Sequence, residues 1–228
     1  MKPDYERSAI MATETLISFN AEEKESKINP IVGSLPITPL PIIQSMKHVL
    51  AMPFAELANN AGIERNNLVP MFGNNQDAVT FFVNTDRIKY VVAYNQYLPF
   101  DALRRALARE LGHIVLGHDG TKPIDVRMSE AMCFARHLIF PRSVIHAVQQ
   151  AGFPITIEML GSITGCFERC LEGLRKTPGV HVPADLNRKV KAIYEDSIRN
   201  FIDFQATIQA GDTSAIADFG SFMDNYEE

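Results

Sequence analysis

Pro99 to Gly120 constrains the fold more than any other stretch of the chain. Proline presets the backbone for the first turn of a helix, where its missing amide would have had no partner. Asp101 then sets a carboxylate against the positive helix end. Leu103, Leu107, Leu111 and Ile114 recur at helical spacing and predict a buried stripe. Gly117 and then Asp119-Gly120 predict the stop. An amphipathic helix in mid-chain must be covered by other elements, and 46% apolar residues in a chain of 228 supply a core large enough to do so.

The polar face of this helix carries Arg109, Glu110 and His113. In a His-Glu-x-x-His run the two imidazoles lie one turn apart on one face and share a zinc ion. The glutamate between them takes a proton from metal-bound water. Glu110 holds that general-base position here and His113 the second ligand position, while Arg109 stands where the first ligand belongs. A guanidinium is cationic and has no lone pair to give. His118, five residues beyond His113, lies about 140° further round a continuous helix and faces the same side only if the helix unwinds at Gly117. His118 and His137 are the candidate replacement ligands, with surface or capping roles the commoner reading of such histidines. Arg104-Arg105 reads as a solvated face.

Charge and cysteine usage exclude several classes of function. Formal net charge is −5 and no region is strongly basic, which argues against broad binding of nucleic acid through phosphates. Three cysteines, Cys133, Cys166 and Cys170, are too few and odd in number for a disulfide framework. Cys166 and Cys170, four apart, read as small buried side chains on one helix face. Met1 to Ser18 lacks a basic start followed by an apolar block, and the uncharged run Ile28 to Met46 is interrupted by four prolines. The expected setting is therefore cytoplasmic, with no membrane partner.

Along the chain, residues 4–19 predict a helix with Ile10, Leu16, Ile17 and Phe19 buried, ended by the charged break Glu22 to Glu25. Pro36, Pro39 and Pro41 predict an extended path, followed by a short helix from Ile42 and a strand at Val49 to Met52. Phe54 to Gly62 predicts a helix, and Glu56 to Leu68 has helix-turn-helix spacing, though Pro70 and a single basic residue, Arg65, weaken a DNA-reading role. Ala78–Asn84 and Tyr90–Asn95 predict paired strands. Later helices are expected at Ser129–Phe140 with Ser129 as N-cap, Ser143–Gln150 and Ile163–Leu174, with a turn at Pro178-Gly179. One long helix is expected at Leu186–Ile208, burying Leu186, Val190, Ile193, Ser197, Phe201 and Phe204. An acidic tail follows from Gly211.

Two motifs in order give the chain a family resemblance. Ala108 to His118 is similar to the metal-binding helix of the ImmA/IrrE-type metallopeptidases, which are gluzincin-like, with Arg109 as the exception. Glu130-Ala131-Met132-Cys133-Phe134-Ala135, running on to Pro141, resembles that family's second motif. The resemblance spans roughly residues 35–180 and implies that Glu130 corresponds to the third metal ligand. Met132 replaces a polar residue that supports the site in the family. Members of the family often act on DNA-binding repressors in bacteria and their mobile elements.

These readings lead to an α+β expectation: a small, mostly antiparallel sheet packed on a largely helical body, with the motif helix at a cleft. Residues 1–34 are expected to form a helix and linker, 35–180 the family-like domain, and 181–228 a helix and acidic tail. Arg109 is expected to fill the vacated metal position and bridge to Glu130. The leading functional expectation is a fold degenerate in zinc binding, with no cofactor, that acts by holding a repressor-type regulatory protein. The alternative is a zinc endopeptidase completed by His113, Glu130 and either His118 or Glu110. A transcription factor using residues 54–72 ranks third.

Overall fold

The structure, a computed structural model, describes residues 1–26, 35–72, 76–83, 85–153, 156–164 and 180–209. Helix α1 runs Tyr5–Ser26, α2 Pro39–Ser45, strand β1 Val49–Pro53, α3 Phe54–Ala61 and the single-turn α4 Arg65–Leu68. Strands β2 (Ala78–Phe82) and β3 (Tyr90–Tyr94) precede α5 (Phe100–Val115), α6 (Ile124–Ile139) and α7 (Arg142–Gln150). Helices α8 (Ile157–Thr164), α9 (Ala184–Ile193) and α10 (Glu195–Gln209) complete the described elements. Cys166, Cys170, Phe167, Leu171, Leu174, the Pro178-Gly179 turn and the acidic tail lie outside the described residues.

The fold is α+β, as the sequence predicts, with a three-stranded sheet of order β1-β3-β2. β3 pairs antiparallel with β2 and parallel with β1, so the sheet is mixed. Strand β2 is an edge. Asp77 accepts from the Asn95 amide and Val83 donates to Lys89, which turns the odd-numbered residues toward β3. The backbone groups of Ala78, Thr80 and Phe82 therefore point outward.

Helices α1 and α5 both lie along α6. Leu107, Leu111 and Ile114 of α5 are buried as predicted, and they share one core with Phe134 and Leu138 of α6, Leu16 and Phe19 of α1, Val190 of α9, Ile198 of α10 and Tyr194 between the last two. Gly112 sets the α5–α6 spacing. A Cβ there would stand 3.1 Å from both the Ala131 carbonyl oxygen and Phe134 Cδ1. That close approach brings the two motif helices together.

Several expectations need correction. Helix α1 continues through Glu22–Glu25 to Ser26, so the charged run is no break. Its innermost face includes Ala9 and Ala12, small residues that let α6 approach, while Ile10 and Ile17 are only half-buried. Pro39 and Pro41 start α2 instead of an extended path, because a first helical turn needs no amide donors. Helix α6 begins at Ile124 behind Pro123, not at Ser129. The expected helix over 186–208 is broken at Tyr194, and the buried line is Val190, Tyr194 and Ile198. The second member of the helix-turn-helix is only the four residues of α4, too short to read a groove. Arg104 is not on a solvated face: it is 1% exposed, lies over the Phe100 ring, and donates to the carbonyls of Ile37 and Thr164. No described helix is long and apolar enough to cross a membrane.

Candidate functional site

Helix α5 ends in a way that decides the geometry of the site. Gly117 adopts φ +67°, the Gly117 amide donates to Ile114 O at 3.1 Å, and the His118 amide donates to His113 O at 3.0 Å. This pair of bonds is a Schellman stop, in which the side chains three before and two after the helix end are brought into contact. Those positions usually carry apolar residues; here they carry His113 and His118. Their rings pack edge to face with centroids 5.0 Å apart and Nδ1 atoms 2.8 Å apart. The unwinding at Gly117 that His118 required does occur.

His118 Nε2 in turn lies 2.9 Å from Glu130 Oε2, with both side chains almost fully buried. Glu130 also accepts from Lys122 Nζ through both oxygens, at 3.1 and 2.8 Å, and from the Asp4 backbone amide at 2.9 Å. Burial alone would raise its pKa, but Lys122, the Asp4 amide and His118 outweigh burial and hold it at about 2. An ionised Glu130 accepts only, so His118 Nε2 carries a proton. In neutral His118 the Nδ1 then accepts from His113 Nδ1–H. Burial, helped by His118, Arg109 and Arg127, pulls the His113 pKa down to about 4. Burial also lowers that of His118. Both rings are neutral at pH 7, and His113 Nε2 has no hydrogen-bond partner among the described residues.

Arg109 and Glu110 form a second group. Arg109 Nε donates to Glu110 Oε1 at 2.9 Å, and its Nη2 reaches both the same oxygen at 2.9 Å and Ala78 O at 3.1 Å. Thr80 Oγ1 donates to Glu110 Oε2 at 2.8 Å. Burial raises the Glu110 pKa against the pull of Arg109 and Thr80. The expected bridge from Arg109 to Glu130 is therefore not formed. Adjacent residues on a helix do not normally face each other, yet the long guanidinium folds back over Glu110 and onto the outward edge of β2. Glu130 takes its cation from Lys122 instead.

A cleft of about 180 Å³ opens over these groups, lined by Arg109, Glu110, His113, His118, Arg127 and the apolar side chains Val79, Phe82, Tyr90, Ile124 and Met128. Phe82 is 69% and Ile124 70% exposed at its rim. Sequence reasoning missed Lys122, Thr80, Arg127 and the Asp4 amide, none of which stands at a motif spacing. His137 is not with this group: it lines a separate cavity at the start of α7. Met132 faces a neighbouring hollow with Arg105, Arg109 and Arg136 and not the cleft. Cys133 is buried, its Sγ donates to Tyr5 O, and burial pushes its thiol up to about 11. Among the described residues no group of three or more His, Cys, Asp or Glu side chains is arranged to hold a metal ion.

Comparison with known proteins matches residues 71–157 to the peptidase M78 family, described as the IrrE N-terminal-like domain. The match runs from the turn after α4 to the start of α8, narrower than the 35–180 span of the sequence resemblance, and includes every cleft-lining side chain. No curated protein and no solved structure matches the chain.

Proposed function

With residues 71–157 forming an IrrE N-terminal-like domain, we propose that the peptidase cleft of this chain is zinc-free and binds a polypeptide, in the manner of a partner-holding regulator. The observation that carries this reading is the engagement of the ligand positions by internal cations. Arg109 stands at the first ligand position and is locked to Glu110, while Lys122 occupies the carboxylate of Glu130. The donor set does not fit zinc held in the family's way. Only His113 and Glu130 remain, and the Nδ1 of one and both oxygens of the other are already bonded. Arg109, Lys122 and Arg127 against Glu110 and Glu130 leave a cationic surplus that a dication would increase.

The cleft is suited to binding. Phe82 and Ile124 offer an apolar rim beside the edge strand β2, where a partner's extended segment can add backbone hydrogen bonds. Arg109 already takes Ala78 O, so the outward groups of Phe82 are where pairing starts. Arg127 lines the cleft without an ion pair among the described residues and suits an acidic side chain of the partner. The partner class is a repressor-type regulatory protein, as the family resemblance implies.

One geometric fact favours a second reading, a zinc endopeptidase with a changed ligand set. The stop at Gly117 places His113, His118 and Glu130 in a chain with contacts of 2.8 and 2.9 Å. Against it, both nitrogens of His118 are used in joining the other two.

Elemental analysis separates the readings. The purified chain, after zinc reconstitution and desalting, is expected to hold far less than one zinc per chain. One zinc per chain, lost in both His113→Ala and His118→Ala, would overturn the proposal in favour of the second reading. Phe82→Asp and Ile124→Asp are then expected to abolish binding of a repressor-type partner in a direct titration, while Glu110→Gln leaves no cleavage activity to lose.

A further inference from the structure

The largest of the cavities described, about 420 Å³, lies away from the cleft, at the start of α7. Its lining includes His137, Arg142, Ser143, His146, His181 and Asn187, and no Asp or Glu among the described residues. Donors and potential cations therefore face it with no acceptor side chain of opposite charge.

The helix end supplies more donors. Helix α7 has nine residues, no acidic residue in its first turn and no side-chain cap from Pro141. The backbone bonds at its start are Val144 and Ile145 to Pro141 O. The amides of Arg142 and Ser143 precede them and have no partner among the described residues. Such an end attracts anions.

A side chain of α6 points independently to a polar ligand here. His137 is 6% exposed, lines the cavity, and makes no hydrogen bond or ion pair among the described residues. Ser143 Oγ is buried with no hydrogen-bond partner. A buried polar side chain is almost always bonded, so His137 has unused hydrogen-bonding capacity facing this cavity. Burial, with Arg142 and Arg136 adding to it, pulls the His137 pKa down to about 4, so the ring is neutral at pH 7 and keeps one N–H to donate.

We propose that this cavity binds a phosphate-bearing small molecule, its phosphate seated on the first turn of α7 among Arg142, Ser143 and His137. Two amides, a guanidinium fork and imidazoles from several elements exceed what a carboxylate can accept and suit a tetrahedral oxyanion. The volume falls in the range of small-molecule sites and is more than a bare phosphate fills. Ile145, Val180, Val182 and Val190 line the rest, so an organic group belongs on the ester side.

Calorimetric titration of the full chain with inorganic phosphate, phenyl phosphate, adenosine monophosphate and benzoate tests this. The phosphomonoesters are expected to bind more tightly than phosphate, and benzoate least. Arg142→Ala, an exposed position that leaves the core intact, is expected to weaken binding about tenfold or more. In proton NMR the His137 ring resonances should shift on saturation, while Arg109→His binds as the unaltered chain does. Inorganic phosphate binding as tightly as its esters overturns the ester assignment. Benzoate binding as tightly as phenyl phosphate overturns the phosphate assignment. Affinity unchanged in Arg142→Ala, or all phosphates weaker than about 10 mM, overturns the site.

Discussion

The cleft over α5 and the cavity at α7 are built from similar side chains and end in opposite electrostatic states. In the cleft, Glu110 and Glu130 find Arg109, Thr80, Lys122, His118 and the Asp4 amide within hydrogen-bond distance. At α7, His137 and Ser143 Oγ find nothing among the described residues. A polar site whose members bond one another is rigid, and an incoming ion has to displace those bonds. One left unsatisfied carries a stability cost that a ligand relieves. The region that resembles an enzyme is therefore the self-contained one.

Five measurements break or sharpen this contrast. The largest effect is expected from Glu130→Leu, which strands Lys122 and His118 beside a buried apolar group. Urea unfolding should show a loss of about 3 kcal/mol, partly recovered by adding Lys122→Met; an unchanged midpoint would mean the network contributes little. Next comes pH. His113 and His137 fall from 6.5 to about 4 on folding, so between those values the unfolded chain binds protons that the folded chain refuses. Stability is full above pH 6.5 and drops on acidification by about 1.4 kcal/mol per pH unit for each histidine. Glu130, depressed from 4.5 to about 2, adds a further loss as pH falls through that range. His137→Gln should flatten the upper part of this slope, and an identical slope in that variant would remove His137 as its source.

Third, Gly112→Ala forces α5 and α6 apart against the Ala131 backbone and should cost about 1–3 kcal/mol in thermal or chemical denaturation. Fourth, Arg109→His restores a ligand but leaves Lys122 on Glu130. Competition with a zinc chelator should show the double variant Arg109→His, Lys122→Ala binding zinc about tenfold more tightly than Arg109→His alone. Equal affinity would show that Lys122 does not compete with metal for Glu130. The smallest effect belongs to Ser143→Ala. Removing an unpaired buried hydroxyl should leave stability unchanged or raise it by about 1 kcal/mol or less, and a clear loss would reveal a partner for Oγ.

The sequence was legible where one physical signal acts locally. Pro99, Asp101 and the leucine spacing delimit α5, Gly62 stops α3, and the β-branched and aromatic runs give β2 and β3. The roles of Glu110, His113 and Glu130 as neighbours in one region were readable from two motifs. Their partners were not. Lys122 reaches Glu130 from the loop between α5 and α6, where no periodicity applies. Arg104 looked like half of a surface pair, yet carbonyls of Ile37 and Thr164, distant in sequence, hold it in the core. Arg109 was expected to bridge to Glu130 because it stands one turn before His113 at the vacated ligand position, yet its long side chain folds over the adjacent Glu110 instead. The small residues Ala9 and Ala12 gave no hydrophobic signal, although close helix packing depends on them.

The turn at Gly117 has a consequence for how such sequences are interpreted. Two imidazoles fasten the end of a helix there, a task that does not depend on coordination chemistry. Residues recruited to architecture in this way do not by their presence alone report a reaction. A search that keys on Glu110, His113 and His118 selects for this architecture, and the residue preceding the glutamate, Arg109 here, is the position that bears on metal binding.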